Sequence, residues 1–147
     1  MKRILPLLPL LVLACTAAQA SDAPAVAKPL PYAECIRTSE INEWHVVDAR
    51  TALVRTGPDR YLVKLQADCP RLGIGAPGLL FRASESGKAV GGSRICGGVG
   101  ETVSARDQPP CAISSVRKID KAKFESLRKH AARHGSGADQ PTKPINP

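Results

Sequence analysis

Aromatic residues are scarce in this chain of 147 residues: two Phe, two Tyr and one Trp amount to 3% of it. A core built on stacked rings is therefore excluded, and Val, Leu, Ile and Ala must supply the buried surface. No apolar run is long enough to span a bilayer as a helix, which takes about 20 residues. Ile4 to Ala14 comes nearest and is interrupted by Pro6 and Pro9. No C-x-x-C pair is present, which argues against a tetrathiolate metal site. Neither G-x-S-x-G nor H-E-x-x-H occurs, so two familiar hydrolytic constellations are missing. Acidic residues are outnumbered, 13 against 21 basic, for a net charge of +8. That excess favours acidic partners in general and identifies none of them. No internal repeat is evident.

What is present begins with an export pattern. Met1-Lys2-Arg3 is a positive start, Ile4 to Ala14 an apolar stretch, and Ala18-Gln19-Ala20 a small-residue cleavage site. Cleavage there makes residues 1–20 a signal peptide and Ser21 the mature N-terminus. A rival reading takes Val12-Leu13-Ala14-Cys15 as a lipobox, with Cys15 acylated and the protein anchored to a membrane. In either case Cys15 stays out of the folded core. Residues 21–31, rich in Ala and Pro, read as a linker.

Residues 32–134 read as a single disulfide-stapled β-rich domain, and 135–147 as a disordered tail. Trp44 to Val47 and Ala52 to Thr56 are β-rich runs around a turn at Asp48, whose carboxylate suits backbone amides two residues on. Gly57-Pro58-Asp59-Arg60 is a second turn, after which Tyr61, Val63 and Leu65 alternate with Leu62 and Lys64. Further strands are expected over Gly78 to Ala83 and Cys111 to Ile119, the latter with Ile113 and Val116 as core residues. Ser84 to Gly92 reads as a turn. A basic helix is expected over 121–134, capped by Asp120, packed through Phe124, Leu127 and Ala131, and stopped by Gly135. The fold class is accordingly mainly β, a small antiparallel sheet or partly closed barrel with a C-terminal α-helix.

Four cysteines remain after the signal: Cys35, Cys69, Cys96 and Cys111. An even number in an exported chain reads as two disulfides. Three pairings are open; the favoured one joins Cys96 to Cys111 across a hairpin and Cys35 to Cys69.

This order of features resembles a family of small exported Gram-negative bacterial proteins known only as a domain of unknown function. The resemblance covers Cys35 to Ile119. It rests on Cys35-Ile36, Ile41 with Trp44, Val47-Asp48-Ala49-Arg50-Thr51, Tyr61-Leu62-Val63-Lys64-Leu65, Cys69-Pro70-Arg71-Leu72, Ile95-Cys96 and Cys111-Ala112-Ile113. It implies a bacterial envelope protein and brings no activity or ligand with it.

Candidate sites are few. Gly73-Ile74-Gly75-Ala76-Pro77-Gly78 matches G-x-G-x-x-G, but Pro77 and the β-like Leu79-Leu80-Phe81 follow where a dinucleotide loop needs a helix. Gly97-Gly98-Val99-Gly100 has the glycines of a phosphate loop without its lysine. His130 and His134 would share a helix face as a metal pair, yet basic neighbours favour a solvated face. Trp44, His45, Asp48 and Arg50 form the polar cluster with most character, and an Asp–His pair there would suit acid–base chemistry. Catalytic, cofactor-binding and metal residues are otherwise expected to be none. The leading function is a non-enzymatic binding or structural module of the bacterial envelope, periplasmic, secreted or lipid-anchored. Its partner would be an envelope protein or anionic envelope surface, and export argues against nucleic acid. The rivals are a small hydrolase-like enzyme using Asp48 and His45, and an anionic-surface binder acting through the basic helix 121–134.

Overall fold

Period-two alternation of apolar side chains builds most of this molecule. A computed structural model describes residues 27–76, 78–89 and 92–137. The export signal, Cys15 and most of the linker lie outside the described residues, as does the tail beyond 137. The strands are β1 (Ile36–Arg37), β2 (Glu43–Asp48), β3 (Thr51–Thr56), β4 (Asp59–Leu65), β5 (Leu80–Arg82), β6 (Arg94–Ile95), β7 (Thr102–Ser104), β8 (Cys111–Lys118) and β9 (Arg133–Ser136). The helices are α1 (Glu85–Ala89) and α2 (Lys121–Arg128). Seven strands form one curled antiparallel half-barrel in the order β5-β7-β8-β4-β3-β2-β9, and β1 pairs with β6. The mainly β fold with a late helix is thus present. No described helix is long and apolar enough to cross a membrane.

The β2–β3–β4 meander sits where alternation places it. Asp48 Oδ1 accepts the Arg50 N–H at 2.7 Å in the first turn. Gly57, with φ +56° and open space around its α-carbon, makes the second. Trp44, Val46, Ala52, Val54, Tyr61 and Val63 face the main core. Leu53 and Leu62 face the other way, where Phe124 of α2 buries them. Ile113 and Val116 of β8 are three residues apart and still share the core face. A bulge allows this: Lys64 faces Ser115 and Leu65 faces Ile113, which leaves Ser114 as the extra residue.

Three expectations need correction. The bridges are Cys35–Cys96 and Cys69–Cys111, with Cα separations of 4.6 and 6.2 Å, rather than Cys96–Cys111 and Cys35–Cys69. Pairing of Ile36 with Ile95 makes Cys35 and Cys96 neighbours. Cys111 instead faces Val103 of β7, and its segment meets the end of β4 through Gln66 N–H to Ala112 O. Second, the helix ends at Arg128, with Asp120 Oδ1 accepting Lys123 N–H at 2.8 Å. The chain then turns and adds β9 to the edge of β2, a stronger claim on its backbone than about two more helical turns whose apolar residues are only Ala131 and Ala132. Gly135, read as a helix stop, and Ser136, read as tail, are strand residues. Third, Glu85–Ala89 is a single helical turn inside the expected loop.

Trp44 explains several glycines. Its indole is cradled by Gly73, Gly78 and Gly135, and a Cβ on Gly78 or Gly135 would overlap the ring. Gly78 also has φ +78°, a conformation that L side chains rarely adopt. The G-x-G-x-x-G stretch is therefore a tryptophan cradle.

Candidate functional site

Strand alternation divides the polar cluster seen in the sequence. Trp44 points into the main core, 2% exposed, and its Nε1 has no hydrogen-bond partner among the described residues. His45 points to the opposite face, 5% exposed, with its ring edge-on to Phe124 at a centroid distance of 5.7 Å. Asp48 ends the strand and spends its carboxylate on the Arg50 turn, while Arg50 Nε pairs with Asp68 Oδ1 at 2.5 Å. The Asp–His pairing on which acid–base chemistry would rest is not formed.

His45 meets His134 instead. β9 lies antiparallel to β2 with these two residues directly opposite, and their Nδ1 atoms are 2.7 Å apart. His134 is exposed and lies across the buried His45. His45 Nε2 is 3.7 Å from Glu43 Oε1, beyond hydrogen-bond reach, and Glu43 is bonded to Arg55 Nε at 2.8 Å. Hydrogen bonding to Arg55 holds the Glu43 carboxyl below its ordinary range. Burial pushes the His45 imidazole down; Glu43 opposes this, while His134 and Arg128 add to it. His130 lies in the turn after α2 and His134 in β9, so they do not share a helix face. Among the described residues no group of three or more His, Cys, Asp or Glu is placed to hold a metal ion.

An open groove of about 500 Å³ lies elsewhere, a size within the range of small-molecule sites. One wall comes from β1 and the turn Thr38–Glu40, the other from the β3–β4 turn. Arg37, Glu40, Asn42, Thr56, Asp59 and Tyr61 are its polar lining. Arg37 Nη1 pairs with Glu40 Oε1 at 2.8 Å, and Asp59 Oδ1 with Lys118 Nζ at 3.2 Å. Asn42 Oδ1 accepts the Gly57 N–H, which ties the two walls together. Burial pushes the Tyr61 phenol up, against a hydrogen bond with Thr56. Cys35 also lines the groove, so the Cys35–Cys96 bridge fixes one wall. The lining offers donors and acceptors of both signs at mostly exposed positions. Sequence reasoning missed the groove because its walls come from segments that are unremarkable singly; Arg37-Thr38-Ser39-Glu40 was the available signal.

The basic helix has no spare apolar face. Phe124 is fully buried against Leu53 and Leu62, and Leu127 packs beside it. What remains outward is Lys121, Lys123 and Arg128 with the small residues Ala122 and Ser126.

A family model described as a family of unknown function (DUF6491) matches residues 1–135. No curated protein and no solved structure matches the chain.

Proposed function

Since the chain belongs to this family of unknown function, DUF6491, we propose that it is an exported protein of the bacterial envelope that works by binding rather than catalysis, and that the groove seats its ligand. The observation that carries this reading is the groove itself, with both charge signs on its lining and one wall secured by Cys35–Cys96. The ligand class is a small polar molecule bearing both a positive and a negative group, which Asp59 on one wall and Arg37 on the other would bind at opposite ends. Two disulfides support an oxidising compartment, where such bonds persist. Residues 1–20 then act as a cleaved signal and 21–31 as a linker ahead of the domain. If Cys15 is acylated, that linker becomes a tether.

The test is photo-crosslinking in the native envelope from Ala33 and Pro58, exposed residues of the groove, with exposed Val99 as the position outside it. A mass adduct is expected at Ala33 and Pro58 and absent at Val99. Arg37→Glu should cut its yield about tenfold, the weight of one charge-assisted hydrogen bond. Equal capture at all three positions would overturn the reading. The intact mass from the same preparation distinguishes a chain starting at Ser21 from one starting at acylated Cys15.

A further inference from the structure

β9 is short, sits at the sheet edge and is polar except where Gly135 lies on Trp44. Its attachment includes Ala132 N–H to Val46 O and Gly137 N–H to Asn42 O, both 2.8 Å. Between these two bonds stands the His45–His134 pair, with two ring nitrogens 2.7 Å apart. That distance requires one proton between them. In the neutral pair, one imidazole carries its hydrogen on Nδ1 and donates it to the bare Nδ1 of the other. A first added proton on His134 leaves the bond in place, because the ring can still donate its Nδ1–H to neutral His45. A second is not: two N–H groups and two positive charges would then face each other, one of them on a buried ring.

We propose that the His45–His134 pair is an acid-operated latch, which holds strand Arg133–Ser136 on β2 while His45 is neutral and releases it when His45 takes up a proton.

The surroundings give that proton little compensation. Glu43 of β2 is committed to Arg55 of β3. From β4, Arg60 lies over the Phe124 ring at 5.9 Å. From α2, Arg128 is paired with Glu125 at 2.8 Å. From β9, Arg133 Nη1 donates to Leu72 O at 3.1 Å. The two carboxylates of these surroundings, Glu43 and Glu125, are thus each already paired with an arginine, and only Glu43 acts on His45. Burial lowers the proton affinity of His45 in the closed state, whereas release returns it to the ordinary value of about 6.5. The sign follows: the open form binds more protons, so closure is strongest above pH of about 6.5. It weakens as pH falls through that value and levels off below the lowered closed-state value. Within this window the open-to-closed ratio rises by up to about tenfold per pH unit. Release would uncover Trp44, the chain's single tryptophan, and the edge of β2.

The experiment is hydrogen exchange on the full disulfide-bonded chain at about pH 7.5 and 5, a span set by the histidine range, with rates corrected for intrinsic exchange. Residues 132–137 should open at least about tenfold more at the lower pH, while β3, β4 and β8 hold their protection. Trp44 emission should shift to the red over the same range. His45→Gln keeps hydrogen-bonding capacity without the titrating ring and should abolish the pH dependence; His134→Gln leaves His45 buried and should only weaken it, and His130→Gln should leave it intact. The compared quantity is the ratio between the two pH values, so a variant that holds the strand loosely at both still reports. Exchange at 132–137 independent of pH, a transition retained in full in His45→Gln, or protection lost uniformly across the sheet would each overturn the latch. No ligand enters these readouts, so they stand or fall apart from the groove.

Discussion

Glu101 shows how much one side chain can organise here. It is 5% exposed, and its two carboxylate oxygens accept the N–H groups of Cys96, Gly97 and Gly98 at 2.7–3.1 Å. The glycine run with the look of a phosphate loop is therefore an anion nest whose anion belongs to the chain itself. Gly97 has φ +87°, and a Cβ there would stand 2.7 Å from Val116 N, so the loop closes on β8 only with glycine. Glu101→Gln retains one carbonyl oxygen but loses the charge and places an N–H₂ against backbone donors. With hydrogen bonds to a charged group worth about 1.5–3 kcal/mol each, the substitution should cost about 2–4 kcal/mol, read as a lowered urea midpoint at unchanged m-value. A shift below about 0.5 kcal/mol would show that the nest closes without its anion.

The elements divide into those that carry their own signal and those recruited by neighbours. α2 is of the first kind: Asp120 caps it and Phe124 and Leu127 make its stripe. Phe124→Ala removes the largest side chain of the second cluster and should cost about 3–5 kcal/mol. Circular dichroism and exchange at 121–128 should show the helix released while the β2–β4 meander stays protected. An equal loss across the meander would make α2 part of one cooperative core. The meander was legible for the same reason as α2, since Tyr61, Val63 and Leu65 alternate and Asp48 and Gly57 mark the turns. β9 was not: Arg133-His134-Gly135-Ser136 has no apolar alternation, and its strand conformation comes from an edge of β2 nearly 90 residues away in sequence. For the same reason His45 is legible as a polar residue in a strand, while the spacing of Phe124, Leu127 and Ala131 carries its partner His134 into an expected helix. Strand β8 was located, but the bulge at Ser114 that brings Ile113 and Val116 to one face depends on its pairing with β4. The groove follows this rule too, because Arg37 and Asp59 line one groove only once β1 is stapled beside the meander.

At the scale of the whole molecule, the two disulfides interleave: Cys35–Cys96 spans 61 positions and Cys69–Cys111 spans 42, each enclosing one cysteine of the other. Sequence spacing could not select this pairing, because the order of strands in the sheet decides which cysteines meet. The bridges fall where hydrogen bonding is thinnest. Between Leu65 and Thr102 the chain has only two short strands and one helical turn among its described residues, yet this stretch covers Trp44 and supports β1. Chain-entropy reasoning assigns loops of these lengths about 4 kcal/mol each, comparable in sum to the whole stability of many domains. The two bonds should nevertheless fail differently. Replacing Cys35 and Cys96 together by Ser frees the β1 wall, so exchange should rise at residues 31–41 and 93–96, and groove crosslinking from Ala33 should fall, with β2, β3, β4 and β8 still protected. Replacing Cys69 and Cys111 together by Ser loosens the segment that carries Leu72 and Gly73 over Trp44; tryptophan emission should shift red while groove crosslinking survives. Identical exchange patterns in the two double variants would mean that the bridges support one indivisible core, and the separation of groove wall from tryptophan cover would be wrong.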